Sequence, residues 1–305
     1  MPRFSPTLAV VAACALWALG TILSKDVLET IPPITVLVLQ LAPSVIVLWT
    51  IAILCGSELP RGRMLLAVGM LGLLNPGWSY TLNIFGLQRS TASVATLLWA
   101  AEPIMILCLA ALFLKERLSG LLILLVGCAT LGVLVVSGVA SDLGGVKLDN
   151  GALLILSGVF LCAVFAIVAR GQQVDPLAAV TIQQSVALLW TLAIWPFEVG
   201  AAMTGRLAAL SAEDMAKAAL SGLLYYGAAY WLYLYALRRM PASVVGSFFS
   251  LIPLFGVVGA YFLLDERMTA TQWAGAALIF LSVAILLWRL ARGEHADGPA
   301  VQANQ

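Results

Sequence analysis

Apolar residues run through this chain in ten long blocks, each close to the length of a helix that crosses a membrane. A helix rises 1.5 Å per residue, so it needs about 20 apolar residues to cross the hydrocarbon core of a bilayer. Short polar connectors such as GSELPRGR (56–63) and SDLGGVKLDN (141–150) separate the blocks. The predicted spans are residues 5–24, 34–55, 64–87, 91–114, 119–139, 150–170, 177–197, 216–237, 242–264 and 270–290.

The composition of the chain fits lipid as its solvent. Hydrophobic residues make up 62% of the sequence, charged residues 10%, and the mean hydropathy is +1.02. Soluble domains have about 45–50% apolar and about 25% charged residues. The fold class predicted is therefore an all-α integral membrane protein. The 16 basic and 15 acidic residues nearly balance and form no basic cluster, which argues against a nucleic-acid partner.

The sequence contains an internal repeat. Shifted by 150 residues, LQRSTASVATLLWAAEPIMILCLAALFLKER (87–117) aligns without gaps on LRRMPASVVGSFFSLIPLFGVVGAYFLLDER (237–267). The predicted units are a first repeat of five spans (1–149), a second of five spans (150–290), and a disordered cytoplasmic tail (291–305). Because five is odd, the copies must cross the membrane in opposite senses. Many secondary transporters use such inverted repeats for alternating access.

The repeat resembles a known family. Two five-span halves with Ala-Ser-Val, a mid-span proline and a closing Glu-Arg resemble the EamA repeats of the drug/metabolite transporter superfamily. Length and aromatic content are most similar to aromatic amino acid exporters of the YddG type. The resemblance implies ten helices around a central cavity that opens to one side at a time. The first four spans of each half would surround the cavity, and the fifth spans would pack outside.

The resemblance implies a secondary transporter that exports small metabolites, with aromatic amino acids as the expected substrates. A broad-specificity exporter of drugs or other metabolites is the first alternative. A membrane channel or a membrane-embedded enzyme is the alternative of another class, although a channel would not explain inverted halves with paired prolines. A small-molecule substrate and the lipid bilayer are the expected partners, and a monomer is among the assemblies left open.

The distribution of basic residues predicts how the chain faces in a bacterial-type inner (plasma) membrane. Cytoplasmic loops carry an excess of Lys and Arg. With both termini in the cytoplasm, that side receives ten of the 16 basic residues and the other side six. The cytoplasmic set is Arg3, Arg61, Arg63, Lys115, Arg117, Arg170, Arg238, Arg239, Arg289 and Arg292, and the other set is Lys25, Arg89, Lys147, Arg206, Lys217 and Arg267.

An acid and a proline stand together in the middle of span four. Proline bends a helix. Pro103 and Pro253 occupy equivalent positions in the two repeats, and they are interpreted as hinges or, alternatively, as static kinks. Glu102 has Ile252 as its counterpart. A charge at this depth costs at least about 2.5–3.5 kcal/mol and usually faces a cavity. Glu102 is thus predicted to meet a substrate ammonium or a coupling proton, with a hydrogen-bonded or protonated structural carboxyl as the alternative.

Aromatic and neutral polar residues on the same spans complete the predicted substrate site. Tyr226, Tyr230 and Tyr233 form one helical stripe, and Tyr80 is the repeat partner of Tyr230. Ordinary packing is the alternative for the rings, and interhelical hydrogen bonding for the glutamines. The predicted substrate-binding residues are Glu102, Trp17, Tyr80, Trp99, Tyr230, Tyr226, Phe165, Phe249, Gln40, Gln184 and Asn83.

Catalytic motifs are missing from the sequence. It has no Walker glycine loop, no HExxH and no nucleophile elbow, and its one histidine lies in the tail. The five cysteines show no metal-ligand spacing and are interpreted as small core residues. The sequence thus predicts no enzyme, no cofactor and no metal site. Facilitated export down a gradient and proton exchange both stay open.

The orientation can be tested by labelling single cysteines in a chain whose native cysteines are replaced. Gly145→Cys lies in the connector predicted to face away from the cytoplasm, so an impermeant thiol reagent should label it in intact cells. Lys115→Cys is the control, because its predicted cytoplasmic position should require permeabilisation. Labelling of residue 145 only after permeabilisation would overturn the orientation.

Overall fold

A computed structural model describes residues 5–87, 98–99, 101–116, 118–136, 150–198, 211–252, 254–256 and 270–291. All regular elements of these residues are helical, and they form ten helical segments. In the first half, α1 is Pro6–Thr30, α2 is Pro33–Leu54, α4 is Glu102–Phe113 and α5 is Gly120–Val136. α3 consists of Arg63–Gly72, a π-helical turn Leu73–Trp78 that is kinked at the non-helical residue Asn75, and Ser79–Leu87.

The second half repeats this order, including a π-helical turn in its third helix. α6 is Asn150–Arg170, α7 is Pro176–Glu198, α8 is Ala212–Gly222 with the π-helical turn Leu223–Ala229 and Tyr230–Leu237, α9 is Ala242–Ser247 with a 3₁₀ turn Phe248–Ser250, and α10 is Ala270–Ala291.

Prolines set several of the helix ends. α1, α2 and α7 each begin on a proline, whose missing N–H would have no helical partner in the first turn. α1 continues to Thr30, beyond the predicted end at residue 24, and stops before the Pro32–Pro33 pair. A proline disfavours helical backbone in the residue before it, so this pair separates α1 from α2.

Three helices of the described chain are long and apolar enough by themselves to cross a membrane: Pro33–Leu54, Asn150–Arg170 and Pro176–Glu198. Among the others, α3 and α8 contain irregular turns, and α4, α5 and α9 have shorter apolar stretches. Large apolar side chains also face outward, and Leu8, Ile46, Leu112 and Phe280 are between 64% and 69% exposed. Such a surface suits contact with lipid tails.

The helices pack in pairs that join the two halves. α2 packs against α7, α4 against α9, and α5 against α10. α1 packs against α8 as α6 packs against α3, and α3 packs against α7 as α8 packs against α2. If each helix is replaced by its counterpart in the other half, the same set of helix pairs results. The opposite orientation of the halves in a membrane stays a prediction.

Two glycines allow the closest of these helix contacts. A Cβ added to Gly72 in α3 would lie 2.2 Å from the backbone oxygen of Gln183 in α7. A Cβ added to Gly222 in α8 would lie 2.1 Å from the backbone oxygen of Gln40 in α2. Small residues permit such close approach between membrane helices. The two contacts hold α3 and α8 directly against helices of the other half.

Two carboxylates cap helix N-termini across the halves. Glu116, after α4, accepts hydrogen bonds from the backbone N–H groups of Ala242 (2.8 Å) and Ser243 (3.1 Å) at the start of α9. Glu198, at the end of α7, accepts from Ile34 (2.9 Å) and Thr35 (2.8 Å) at the start of α2. The first N–H groups of a helix lack intrahelical partners and attract negative charge, so both contacts are stabilising.

The five cysteines differ in burial. Cys14 and Cys162 are buried, as the sequence predicts, and Cys128 is half-buried. Cys55 and Cys108 are exposed, so their interpretation as core residues is wrong. Cys108 lies within α4, where an exposed apolar side chain can meet lipid instead of protein, and Cys55 directly follows the end of α2.

Substitution of Gly72 by Ala should destabilise the protein. The new methyl group would overlap the backbone of α7, and α3 would have to move outward. Overpacking of this kind costs about 1–3 kcal/mol, and backbone is less able to yield than a side chain. The thermal midpoint of the detergent-purified variant should fall measurably below that of the unsubstituted protein.

Gly127→Ala in α5 is the matched control, because no atom lies within 4 Å of its added Cβ. An equal thermal midpoint for the two variants would contradict the importance of the α3–α7 contact.

Candidate functional site

Aromatic rings from α1, α3, α6, α8 and the 3₁₀ turn of α9 form one central cluster. Trp17 lies in its middle, with ring centroids 5.5 Å from Tyr230, 5.5 Å from Tyr233 and 5.4 Å from Phe249. These contacts bring together aromatic side chains that the sequence predicts for the site. The members of this aromatic cluster are Trp17, Tyr80, Trp99, Phe165, Tyr225, Tyr226, Tyr230, Tyr233 and Phe249.

Glu102 is the buried acid next to this cluster. It is the first residue of α4 and is 9% exposed. Trp99 of the cluster precedes it by three residues, and α4 packs against α6 and α9, which carry Phe165 and Phe249 of the cluster. Within the described residues its carboxylate has no hydrogen bond and no ion pair, so it is available to a ligand.

Asn75 is a central polar residue that sequence reasoning missed. Its backbone is extended (φ −147°, ψ 120°) inside α3, as expected for a residue that precedes proline. Its Oδ1 accepts hydrogen bonds from Ser79 (2.6 Å), Tyr230 (3.1 Å) and Cys162 (3.8 Å). The Asn-Pro dipeptide in an apolar span was the available signal, because it marks a break in a helix.

The tyrosines at equivalent repeat positions make crossed hydrogen bonds between the halves. The hydroxyl of Tyr80 in α3 is hydrogen-bonded to that of Tyr225 in α8. The hydroxyl of Tyr230 in α8 donates to Asn75 in α3. Tyr80 corresponds to Tyr230, and Asn75 to Tyr225, at the repeat shift of 150 residues. Each tyrosine therefore bonds the residue five positions before its own counterpart.

The predicted polar residues differ in what their amides contact. Gln40 in α2 donates to Ser221 Oγ (2.9 Å) in α8. Asn83 in α3 donates to the Ser79 carbonyl (2.7 Å) of its own helix. Gln184 in α7 is fully buried, and neither amide atom has a hydrogen bond among the described residues; its neighbour Gln183 is in the same state. Their roles in binding stay predictions.

The described part of span four carries Trp99, Glu102 and Pro103. Pro103 lies in the first turn of α4, and the ring centroid of Trp99 is 6.2 Å from that of Tyr80. Pro253, the predicted second hinge, lies outside the described residues. Among the described residues no three His, Cys, Asp or Glu side chains meet as a metal ion would require.

Comparison with known proteins decides the family. The model of the EamA-like transporter family matches residues 5–138 and again residues 149–288. The chain belongs to the EamA-like transporter family. Members of this family are membrane proteins, so the exposed apolar surfaces of the EamA-like chain are assigned to lipid contact.

Two curated relatives of this EamA-like protein are each 24% identical to it over the aligned residues. A WAT1-related chloroplastic protein of Arabidopsis thaliana is 24% identical over 276 residues, which is 88% of this chain and 66% of that protein. The uncharacterized transporter YetK of Bacillus subtilis (strain 168) is 24% identical over 199 residues, 64% of this chain and 60% of that protein. The chain thus spans at most about two thirds of the length of these relatives.

A solved crystal structure has the same fold. It aligns with a TM-score of 0.79 at 18% sequence identity, and the match covers 96% of this chain and 100% of the other. At this identity the likeness concerns the fold alone.

Replacement of Pro103 by Ala in this EamA-like protein should slow substrate flux more than it reduces insertion. Alanine restores an N–H at residue 103 and permits a continuous helix, which would reduce bending beside Glu102. The measurement is uptake into proteoliposomes at matched protein amounts. Pro43→Ala is the control, since Pro43 lies inside α2. If Pro103→Ala, Pro253→Ala and the double variant all transport at the wild-type rate, these prolines are passive kinks and not hinges.

Proposed function

We propose that this chain is a secondary transporter that exports small metabolites, with aromatic amino acids as the principal substrates, by alternating access across a bacterial-type inner membrane. The aromatic ring of the substrate would pack in the aromatic cluster. Its ammonium group would bind the carboxylate of Glu102.

The observation that carries this proposal is the carboxylate of Glu102, which is buried beside the rings and lacks a hydrogen bond within the described residues. Leaving a buried charged group without a partner is costly. A substrate ammonium would supply the missing charge, and the faces of neighbouring rings also attract cations. The site therefore suits a ligand that carries a cation next to an aromatic ring.

The two carboxylate caps support movement between the halves. Glu116 of the first half holds the start of α9, and Glu198 of the second half holds the start of α2. With the predicted orientation, the first cap lies at the cytoplasmic face and the second at the opposite face. Release of one cap at a time would let the halves separate on one side while the other side stays joined.

A broad-specificity exporter of lipophilic cations is the second candidate. Glu102 can bind the cationic group of such a substrate, and the aromatic cluster can pack against its ring. Neither contact requires a substrate carboxylate. Flux of aromatic amines without flux of the corresponding amino acids would favour this candidate.

The proposed role of Glu102 is tested by Glu102→Gln, which keeps the shape of the side chain and removes its charge. A hydrogen bond to a charged group contributes about 1.5–3 kcal/mol. The apparent KM for tryptophan in proteoliposomes should therefore rise roughly tenfold or more, since 1.4 kcal/mol is about tenfold in affinity. Flux should be measured with and without a pH gradient, which separates facilitated export from proton exchange.

Glu58→Gln is the matched control, because it makes the same chemical change at an exposed connector position. An unchanged apparent KM and an unchanged response to the pH gradient in Glu102→Gln would assign Glu102 a structural role. The substrate proposal would then lose its main support.

A further inference from the structure

We propose that Asn75 is a substrate-binding residue, whose side-chain NH₂ group donates a hydrogen bond to the carboxylate of a zwitterionic amino acid while Glu102 holds the ammonium. This inference rests on the proposed function and makes the site specific for amino acids over aromatic amines. It also assigns the substrate carboxylate to Asn75 rather than to the predicted binding residues Gln40 and Gln184.

The orientation of the Asn75 side chain is fixed by its oxygen. Oδ1 accepts from Ser79 in its own helix, from Tyr230 in α8 and from the thiol of Cys162 in α6. A carbonyl oxygen has two lone pairs, so the two hydroxyl donors already use its capacity, and the longer contact from the thiol is a weak third. The planar amide is then held with Nδ2 pointing away from all three donors.

The Nδ2 atom of Asn75 has no hydrogen-bond partner within the part of the chain that is described, although the residue is only 4% exposed. Buried donors in folded proteins are nearly always paired, and each exception requires an explanation. Nδ2 is not among the fully enclosed side-chain atoms that lack a partner, so some of its surface stays open to a ligand. A ligand acceptor, absent from the protein itself, accounts for the unused donor.

The unused donor and the unused acceptor belong to one site. Cys162 is hydrogen-bonded to Asn75, and its helix α6 packs against α4, which begins at Glu102. Tyr230, the other partner of Asn75, contacts Trp17 in the aromatic cluster. An aromatic amino acid carries the complementary groups, an anion for Asn75, a cation for Glu102 and a ring for the cluster.

The two glutamines fit the carboxylate less well than Asn75. The amide of Gln40 is already engaged with Ser221. The amide atoms of Gln184 are fully enclosed by protein. Asn75 alone among these three combines an unused donor with direct contact to a residue of the aromatic cluster.

The test compares tryptophan with tryptamine, which has the same ring and ammonium but no carboxylate. Asn75→Asp keeps an oxygen for Ser79, Tyr230 and Cys162 and replaces the donor with a second acceptor. The preference of the transporter for tryptophan over tryptamine, measured as the ratio of kcat/KM values in proteoliposomes, should fall at least about tenfold. Asn75→Ser provides a second variant, which also lacks the NH₂ group and should lower the same ratio.

Ser157→Ala is the structural control. It removes a side-chain hydrogen bond to the Leu153 carbonyl at an exposed position of α6, so the ratio should stay near the wild-type value. Equal losses for tryptophan and tryptamine in both Asn75 variants, or an equal shift of the ratio in Ser157→Ala, would overturn the assignment. Failure of the wild-type protein to move tryptophan would instead refute the proposed amino acid substrate.

Discussion

The close approach of α3 to α7 and of α8 to α2 is the constraint on which the centre of this protein depends. At Gly72 and Gly222 an added Cβ would lie only 2.2 Å and 2.1 Å from backbone oxygens of the facing helices. Inside lipid, apolar side chains gain little from contact with one another rather than with lipid tails, so tight packing and interhelical hydrogen bonds must hold the helices. Each glycine lies directly before a π-helical turn, Leu73–Trp78 or Leu223–Ala229. The contacts therefore position the turns that carry Asn75, Tyr225 and Tyr226.

The irregular backbone of these turns is tolerated because side chains of the turns form hydrogen bonds with neighbouring helices. In a membrane, non-helical backbone persists only where protein or a water-filled cavity surrounds it. The extended residue Asn75 satisfies this condition through its contacts with α6 and α8. Glu102 begins α4, with Pro103 in its first turn. The break at Asn75 thus accompanies polar groups that have no hydrogen-bond partner among the described residues, and discontinuous helices of this kind are typical of substrate sites in secondary transporters.

The sequence was sufficient to predict the helical fold and its length scale, because apolar blocks of about 20 residues admit few other structures in lipid. The repeat also brought out Trp17, Tyr80 and Tyr230, which the structure places in contact through one cluster. Asn75 was missed, since its role depends on Cys162 and Tyr230 arriving from other helices. The same holds for Glu116 and the Ala242–Ser243 backbone, which are far apart in sequence and meet only after the halves pack. Alignment of the two repeats shows which residues are equivalent. It does not show contacts such as these, which join residues at non-equivalent positions.

The site is less symmetric than the scaffold that holds it. The helix pairs are unchanged when the halves are exchanged, yet Glu102 has Ile252 as its counterpart and Asn75 has Tyr225. Glu102 and Asn75 come from the first half, together with Trp17, Tyr80 and Trp99, whereas the second half contributes Phe165, Tyr225, Tyr226, Tyr230, Tyr233 and Phe249. A ligand that needs both kinds of contact would be fully bound only while the halves are packed together around the cluster. Separation of the halves on either face would remove ring contacts from the ligand, so a symmetric movement of the scaffold would weaken binding on both sides of the membrane.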